Sequence, residues 1–188
     1  ILGKLHHTSL EGKKIIVSGS GNVALYVIKK AQNLGAKVIA ASDSDGYIVD
    51  EDGIDFPLIQ QIKEKERARI SEYASRKPSA VYYQGSHGIW TLPCDVAIPC
   101  ATQNEINLDA AQQICRNRTI ALLEGSNMSC SLDAVDFFNQ EGILYVPAKA
   151  ANAGGVAVSG LEMAQNASRA SWSYGHVDRK LQEIMQYI

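Results

Sequence analysis

The feature that most constrains the fold is a glycine-rich turn near the start of the chain. The turn, Gly19-Ser20-Gly21-Asn22-Val23-Ala24, directly follows a β-branched run at residues 15–17. Such a run is typical of a strand buried on both faces of a parallel sheet. From Asn22 to Leu34 apolar residues recur at helical spacing, and Gly35 stands where a helix commonly ends. This order predicts a βαβ unit whose helix begins at the turn.

The turn has the residue types that a diphosphate-binding loop requires. Gly19 allows a tight turn, Gly21 lets a phosphate approach the backbone, and the small Ala24 permits close packing of helix on strand. The free N–H groups and the positive end of the helix dipole then attract phosphates. A plain glycine turn is the alternative, but the position between a predicted strand and a predicted helix favours dinucleotide binding.

The rest of the chain alternates short apolar runs with amphipathic stretches, which predicts a parallel sheet. Six strands are predicted, at residues 15–17, 38–41, 81–82, 96–98, 120–123 and 143–146. Between the second and third, the pairs Asp45-Gly46 and Asp52-Gly53 suggest a short hairpin or an extended loop. Helices are predicted over 22–34, 56–74, 108–115 and 132–139, with two more beginning near Val156 and His176. We therefore expect an α/β fold, a doubly wound Rossmann-type sheet with helices on both faces.

Length and composition narrow the possible partners. The 188 residues are 46% hydrophobic, which suits one buried core and one dinucleotide-binding domain over residues 1–188. The net charge of −2 comes from 18 basic and 20 acidic side chains that are well mixed, so we expect no nucleic-acid and no membrane partner. No apolar stretch approaches the roughly 20 residues of a membrane span, and no signal peptide is evident. We expect a cytoplasmic protein.

Cysteines and histidines give no sign of a metal site. The four cysteines form no C-x-x-C pair and have no histidine at ligand spacing, so we expect no metal and no disulfide, only reduced and mostly buried thiols. The four histidines fall in no motif, and we interpret them as surface or packing residues. The residues concerned are Cys94, Cys100, Cys115, Cys130, His6, His7, His87 and His176.

The end of the second predicted strand carries a mixed signal about the adenosine ribose. Asp43 lies 24 residues after Gly19 (43 − 19), near the offset of a group that accepts hydrogen bonds from the 2′-hydroxyl of NAD. Yet Ser42 and Ser44 flank it, and they are small donors suited to the 2′-phosphate of NADP. The cations of residues 63–69 either approach that phosphate or form, with Glu64 and Glu66, a solvated helix face.

Three further polar or small-residue turns follow predicted strands, at residues 99–105, 124–128 and 149–156. In an open α/β sheet the carboxyl ends of parallel strands form the ligand crevice. Each turn could instead be an ordinary helix cap, since Thr, Asn and Ser are common there. Three such turns at one sheet edge are better explained by a cofactor that lies across them.

Taken together, these segments resemble one family. The matching stretches are residues 17–24, 41–46, 99–105, 124–128 and above all 149–166, KAANAGGVAVSGLEMAQN. Over essentially the whole chain they resemble the C-terminal coenzyme-binding domain of NADP-dependent glutamate dehydrogenases of the small hexameric type.

The resemblance implies a role for individual positions. It implies that the 2′-phosphate of NADP is met by Lys63 and Arg69, while Glu66 stands where the family pattern has a third basic residue, which leaves NAD as a possible coenzyme. For the other groups it implies pyrophosphate binding by Gly19, Ser20, Gly21, Asn22 and Val23, ribose contacts by Asp43 and Ser44, nicotinamide-side contacts by Ala101, Thr102, Asn127 and Asn152, and substrate contacts by Asn152, Val156 and Ser159.

The resemblance also implies a reaction, the reversible NADP-linked oxidative deamination of L-glutamate to 2-oxoglutarate and ammonia. The family's catalytic lysine and aspartate belong to an N-terminal domain outside this chain, so we expect no catalytic residue and no turnover here, and a homo-hexamer for the full-length enzyme. The start at Ile1 and the end at Ile188 within a helical pattern fit a piece of a larger protein. Alternatives are a stand-alone dinucleotide-binding module or sensor and, supported by the glycine turn alone, a methyltransferase.

Overall fold

The computed structural model describes residues 9–187, and its central element is a seven-stranded sheet. Along the sheet the strands are ordered β4-β3-β2-β1-β5-β6-β7. Their bounds are β1 Lys14–Val17, β2 Lys37–Ser42, β3 Gly46–Asp50, β4 Ala80–Gln84, β5 Val96–Ile98, β6 Ala121–Leu123 and β7 Leu144–Val146. The expectations for His6 and His7 lie outside the residues that the structure describes.

All strands except β3 run in one direction. β1 pairs in parallel with β2 and β5, and β6 and β7 continue the parallel sheet. β3 is antiparallel to both β2 and β4, and Ser42 pairs with Tyr47 across its turn. The suggested hairpin is therefore a seventh strand of the main sheet, where we predicted six strands. It forms because the tight turn at Asp43–Gly46 is closed by a backbone hydrogen bond from Asp43 N to Gly46 O at 2.9 Å.

Helices cover both faces of the sheet, as predicted for a doubly wound fold. In the alternating pattern of β1, Ile15 and Val17 join Ile28 in one buried cluster, whereas Ile16 joins Phe138 in the cluster on the other face. The helices are α1 Asn22–Asn33, α2 Phe56–Gln60, α3 Ser71–Arg76, α4 Leu108–Arg116, α5 Leu132–Glu141, α6 Ala148–Ala151, α7 Ala153–Ala167 and α8 Tyr174–Tyr187, with a 3₁₀ turn at Ser86–Thr91.

The prediction of one charged helix over residues 56–74 is wrong. After α2 the chain forms a π-helical turn, Gln61–Lys65, and Arg67 then takes a left-handed φ of +53° before α3 begins. Ile62 and Ile70 are fully buried on either side of this break. The chain does not continue as a regular helix, because the irregular path places both isoleucines in the core.

The C-terminal helices also differ in detail from the prediction. α6 was not predicted, α7 begins at Ala153 rather than near Val156, and α8 begins at Tyr174 rather than near His176. Neither α7 nor α8 buries any side chain fully. Their apolar residues therefore remain partly exposed to solvent in this chain.

A buried carboxylate ties the segment after β3 back to the sheet. Asp50 is 0% exposed, and its side chain accepts hydrogen bonds from the Tyr73 hydroxyl at 2.9 Å and the Ser79 hydroxyl at 3.0 Å. The Tyr73 hydroxyl in turn accepts from Asp55 N at 2.7 Å. Burial raises the pKa of Tyr73, so the phenol stays neutral and keeps its proton to donate.

Replacing Tyr73 with Phe is expected to lower the free energy of unfolding by about 1–3 kcal/mol, because it removes one donor from the buried Asp50 carboxylate. Urea unfolding followed by circular dichroism measures the change. Tyr26→Phe, at a tyrosine that is 66% exposed, is the matched control and should leave the stability unchanged. Equal stability of the two variants would contradict this role for the Tyr73 hydroxyl.

Candidate dinucleotide-binding site

The glycine turn sits where three strand ends meet. Gly19 has a φ of +82°, and a Cβ there would lie 3.0 Å from the Cys100 carbonyl oxygen, so glycine is required for both reasons. Gly19 N donates to Ser42 Oγ at 2.9 Å, which ties the turn to the end of β2. Cys100 N donates to Ser18 Oγ at 2.8 Å, which ties it to the loop after β5. Since β2 and β5 flank β1 on opposite sides, this is the switch point where open α/β sheets bind ligands.

The N-terminus of α1 opens outward from this turn. Gly21 is the residue before the first helical position, and its carbonyl accepts the first intrahelical hydrogen bond, from Leu25 N. Within residues 9–187 no side chain caps the helix. A Cβ on Gly21 would meet no atom within 4 Å, so the space in front of the first amides is free. The arrangement fits a diphosphate, whose negative charge suits the exposed N–H groups.

A cleft of about 470 Å³ runs from the glycine turn across the edge of the sheet. It joins the turn to the end of β2 and to the loop after β5. The lining residues are Gly19, Ser20, Gly21, Ser42, Asp43, Ser44, Ser86, His87, Trp90, Cys100, Ala101, Thr102 and Glu105. His87 is exposed, as expected for a surface residue, and it also lines this cleft. Its position in the turn after β4, at the same sheet edge, was the available signal.

The Asp43 carboxylate is turned back into the protein. Its Oδ1 accepts from Asp45 N at 3.0 Å and its Oδ2 accepts from Ile70 N at 2.9 Å. The Lys63 ammonium lies 4.0 Å from the same Oδ2, and the Asp43 side chain is only 7% exposed. Gly46 N also donates to Oδ1, at 3.3 Å, so the negative charge is shared with three amides and one cation, which weakens its repulsion of an added phosphate.

Cations reach the end of β2 through the irregular segment that follows α2. Arg69 Nη1 donates to Ser44 Oγ at 2.7 Å, and Arg69 Nε pairs with Asp45 at 3.1 Å. Together with Lys63, Arg69 thus stands beside the two residues predicted to contact the ribose. The structure brings these four predicted residues together although the helix predicted to carry the cations is broken.

Glu105 holds the loop after β5 in place. This buried side chain accepts hydrogen bonds from Ala101 N at 3.0 Å and Thr102 N at 3.2 Å. Burial raises the pKa of Glu105, and a hydrogen bond from Ser18 partly opposes that rise. Ala101 and Thr102 are thereby fixed at the rim of the cleft, next to the glycine turn.

Glu124 joins the two remaining turns. Its carboxylate is buried and accepts from Cys130 N at 2.8 Å with one oxygen and from Ala148 N at 2.9 Å with the other. Across the gap, Asn152 Nδ2 donates to Asn127 Oδ1 at 2.7 Å. The turn after β6 also approaches the turn after β5, since Gly125 N donates to the Pro99 carbonyl at 2.9 Å. The three turns therefore meet at one edge, as predicted.

Val156 and Ser159 do not line the cleft. Both lie on α7, where Val156 is 78% exposed and the Ser159 hydroxyl donates to Gly155 O at 3.3 Å within the helix. Of the predicted substrate residues, only Asn152 is linked to the turn after β6, through its hydrogen bond to Asn127.

Most of the cysteines are buried, as expected. Cys94, Cys100 and Cys130 are buried and Cys115 is partly buried, and all four are free. Burial raises the pKa of Cys94 to about 11 and that of Cys100 to about 12, so both are unreactive thiols at neutral pH. In residues 9–187 no group of three His, Cys, Asp or Glu side chains is placed to hold a metal ion, and no helix is long and apolar enough to cross a bilayer.

Comparisons of sequence and of structure both match this chain to glutamate dehydrogenases. NADP-specific glutamate dehydrogenase of Escherichia coli K12 is 49% identical over 97% of this chain, and NAD(P)-specific glutamate dehydrogenase of Xylanibacter ruminicola is 48% identical over 98%. Glutamate dehydrogenase of Plasmodium falciparum superposes with a TM-score of 0.92 at 42% identity, over 98% of this chain and 40% of that chain.

The chain spans about two fifths of the length of these relatives, 41% for the Escherichia coli enzyme and 42% for the Xylanibacter ruminicola enzyme. Residues 1–188 match the family model of glutamate, leucine, phenylalanine and valine dehydrogenases. The chain belongs to this Glutamate/Leucine/Phenylalanine/Valine dehydrogenase family.

Proposed function

We propose that residues 1–188 form the C-terminal coenzyme-binding domain of an NADP-dependent glutamate dehydrogenase. The observation that carries the proposal is the open, uncapped mouth of α1 at Gly21, located at the switch point of the sheet. The names of the relatives, which specify glutamate dehydrogenases, support the same assignment. The share of those relatives that the chain covers favours a domain of a larger enzyme over a stand-alone module or sensor.

NADP is the proposed coenzyme because cations and hydroxyls, rather than a free carboxylate, face the adenosine ribose. Ser44, Lys63 and Arg69 supply hydrogen bonds and positive charge at the end of β2, and Asp43 is occupied by backbone amides. NAD remains a second coenzyme, since one relative is named as NAD(P)-specific. The diphosphate would lie against residues 19–23, beginning with Gly19 and ending with Val23 at the first turn of α1.

The nicotinamide half would extend across the sheet edge toward the turns after β5 and β6. Ala101 and Thr102 are presented there by Glu105, and Asn127 is held by Asn152. When bound, the coenzyme supplies the hydride chemistry, and this chain's residues contribute position and electrostatic surroundings. We propose that Ala101, Thr102 and Asn127 orient the nicotinamide ribose, with Asn152 between coenzyme and substrate.

The proposed reaction is the reversible oxidative deamination of L-glutamate to 2-oxoglutarate and ammonia. Catalytic lysine and aspartate residues would come from a second domain, so this chain by itself is expected to bind coenzyme without turning over glutamate. Exposed apolar residues on α7, among them Val156 and the 68% exposed Met163, favour a partner surface over that helix. Val156 and Ser159 would face the substrate when a partner surface covers α7. The complete enzyme would be a homo-hexamer.

The proposed coenzyme preference predicts that the chain binds NADPH more tightly than NADH. Replacing both Lys63 and Arg69 with Ala should weaken NADPH binding about tenfold or more and leave NADH binding nearly unchanged, because charge-assisted hydrogen bonds to the 2′-phosphate are lost. Titration of the fluorescence of each reduced coenzyme gives both dissociation constants. The matched control replaces the exposed Lys30 and Lys65, which removes the same charge outside the cleft. Equal affinity for both coenzymes in the unaltered chain would refute the preference.

Because the space in front of Gly21 is open, a substitution there is predicted to weaken coenzyme binding without lowering the free energy of unfolding. Gly21→Ala should leave the free energy of unfolding nearly unchanged, since the new methyl meets no protein atom, but it should weaken NADPH and NADH alike, about tenfold or more, by blocking the diphosphate. Gly19→Ala instead should destabilise the fold by about 1–3 kcal/mol because of its left-handed φ. Urea unfolding and coenzyme titration on both variants separate the effects. If Gly21→Ala bound both coenzymes with normal affinity, the proposal that the diphosphate lies at the N-terminus of α1 would be wrong.

A further inference from the structure

A second cavity opens at the glycine turn, next to the cleft. It has a volume of about 500 Å³ and is formed between the start of α1 and the irregular segment after α2. Its lining residues are Ser20, Gly21, Asn22, Leu25, Lys63, Glu64 and Arg67. The cleft and this cavity share Ser20 and Gly21, so a ligand that occupies the glycine turn borders on both.

Arg67 lines this cavity and has an unusual backbone conformation. Its φ of +53° is rare for a residue other than glycine, and it lies directly after the π-helical turn. In the described part of the chain the Arg67 guanidinium has no ion pair and no hydrogen bond, whereas its neighbour Arg69 is engaged by Ser44 and Asp45. The Arg67 guanidinium is therefore a cation near the glycine turn whose N–H groups are free to bind a ligand.

The acidic side chains nearby are already occupied. Glu66, which directly precedes Arg67, accepts two hydrogen bonds from Arg76 at 2.9 and 2.7 Å, and this pairing lowers the pKa of Glu66 to about 2. Glu64 accepts from the Gln60 amide at 2.8 Å. Glu66 therefore adds no free negative charge beside Arg67, and the cavity contains two cations, Lys63 and Arg67, against one anion.

We infer that Arg67 is a specificity-determining residue that binds the 2′-phosphate of NADP together with Lys63. This inference rests on the proposed function. Lys63 connects the cavity to the end of β2, since its ammonium lies 4.0 Å from the Asp43 carboxylate while its side chain lines the cavity with Arg67. The diphosphate is served by amides and the helix dipole, whereas a terminal phosphate group suits the forked guanidinium of arginine. Arg67 thus supplies a cation that Glu66 cannot.

The test compares the affinities of NADPH and NADH for variants of the exposed Arg67 and for a control variant. Arg67→Asn is the chosen change because asparagine tolerates the left-handed φ, so the backbone is retained. It should weaken NADPH binding about tenfold and change NADH binding by less than about twofold. Arg67→Lys should recover part of the loss. Lys65→Asn, the matched control, removes the same charge two residues away at a side chain that lines neither the cleft nor the cavity, and should change both affinities by less than about twofold.

The outcomes separate this inference from the function on which it rests. If the unaltered chain binds both coenzymes but Arg67→Asn changes neither affinity, or weakens both equally, the role of Arg67 in specificity is overturned while the coenzyme site stands. An effect of Lys65→Asn as large as that of Arg67→Asn would likewise overturn it, since it would reflect net charge alone. A folded, unaltered chain that binds neither coenzyme would overturn both the proposed function and the inference.

Discussion

The close approach of Gly19 to the Cys100 carbonyl is the contact on which the whole site depends. Because no side chain stands between β1 and the loop after β5, the ends of β1, β2 and β5 meet within hydrogen-bonding distance through Ser18 and Ser42. That junction aims the start of α1 outward at the sheet edge. The rest of the site, from Ser42 and Ser44 to the turns held by Glu105 and Glu124, is positioned relative to this point.

Electrostatics then decides which dinucleotide such a site suits. An aspartate after β2 would favour NAD if its carboxylate were free, since it would repel a 2′-phosphate. Here three backbone amides and Lys63 hold Asp43 inward, and Arg69 donates a hydrogen bond to Ser44. Lys63 and Arg69 both lie in the segment after α2 that departs from a regular helix, so the path of that segment sets where these charges lie.

Sequence patterns predicted the parts of the fold that depend on local periodicity. The strands of the parallel sheet, α1, and the convergence of three turns at one edge follow from apolar spacing and glycine placement. The break in the charged segment did not, because Ile59, Ile62, Ile70 and Tyr73 are buried by tertiary packing that sequence spacing alone does not reveal. The position of His87 in the cleft was not predicted for a related reason: the residue belongs to no motif, and only the position of β4 at the same sheet edge brings it to the cleft. The residue-level roles of the site stay predictions.

The most direct test of this coenzyme site is a crystal structure of the chain with NADPH bound. The diphosphate should lie within hydrogen-bonding distance of the first amides of α1 next to Gly21, and the 2′-phosphate should lie beside Lys63 at the end of β2. Coenzyme bound in another cavity, with the mouth of α1 filled only by solvent, would contradict it.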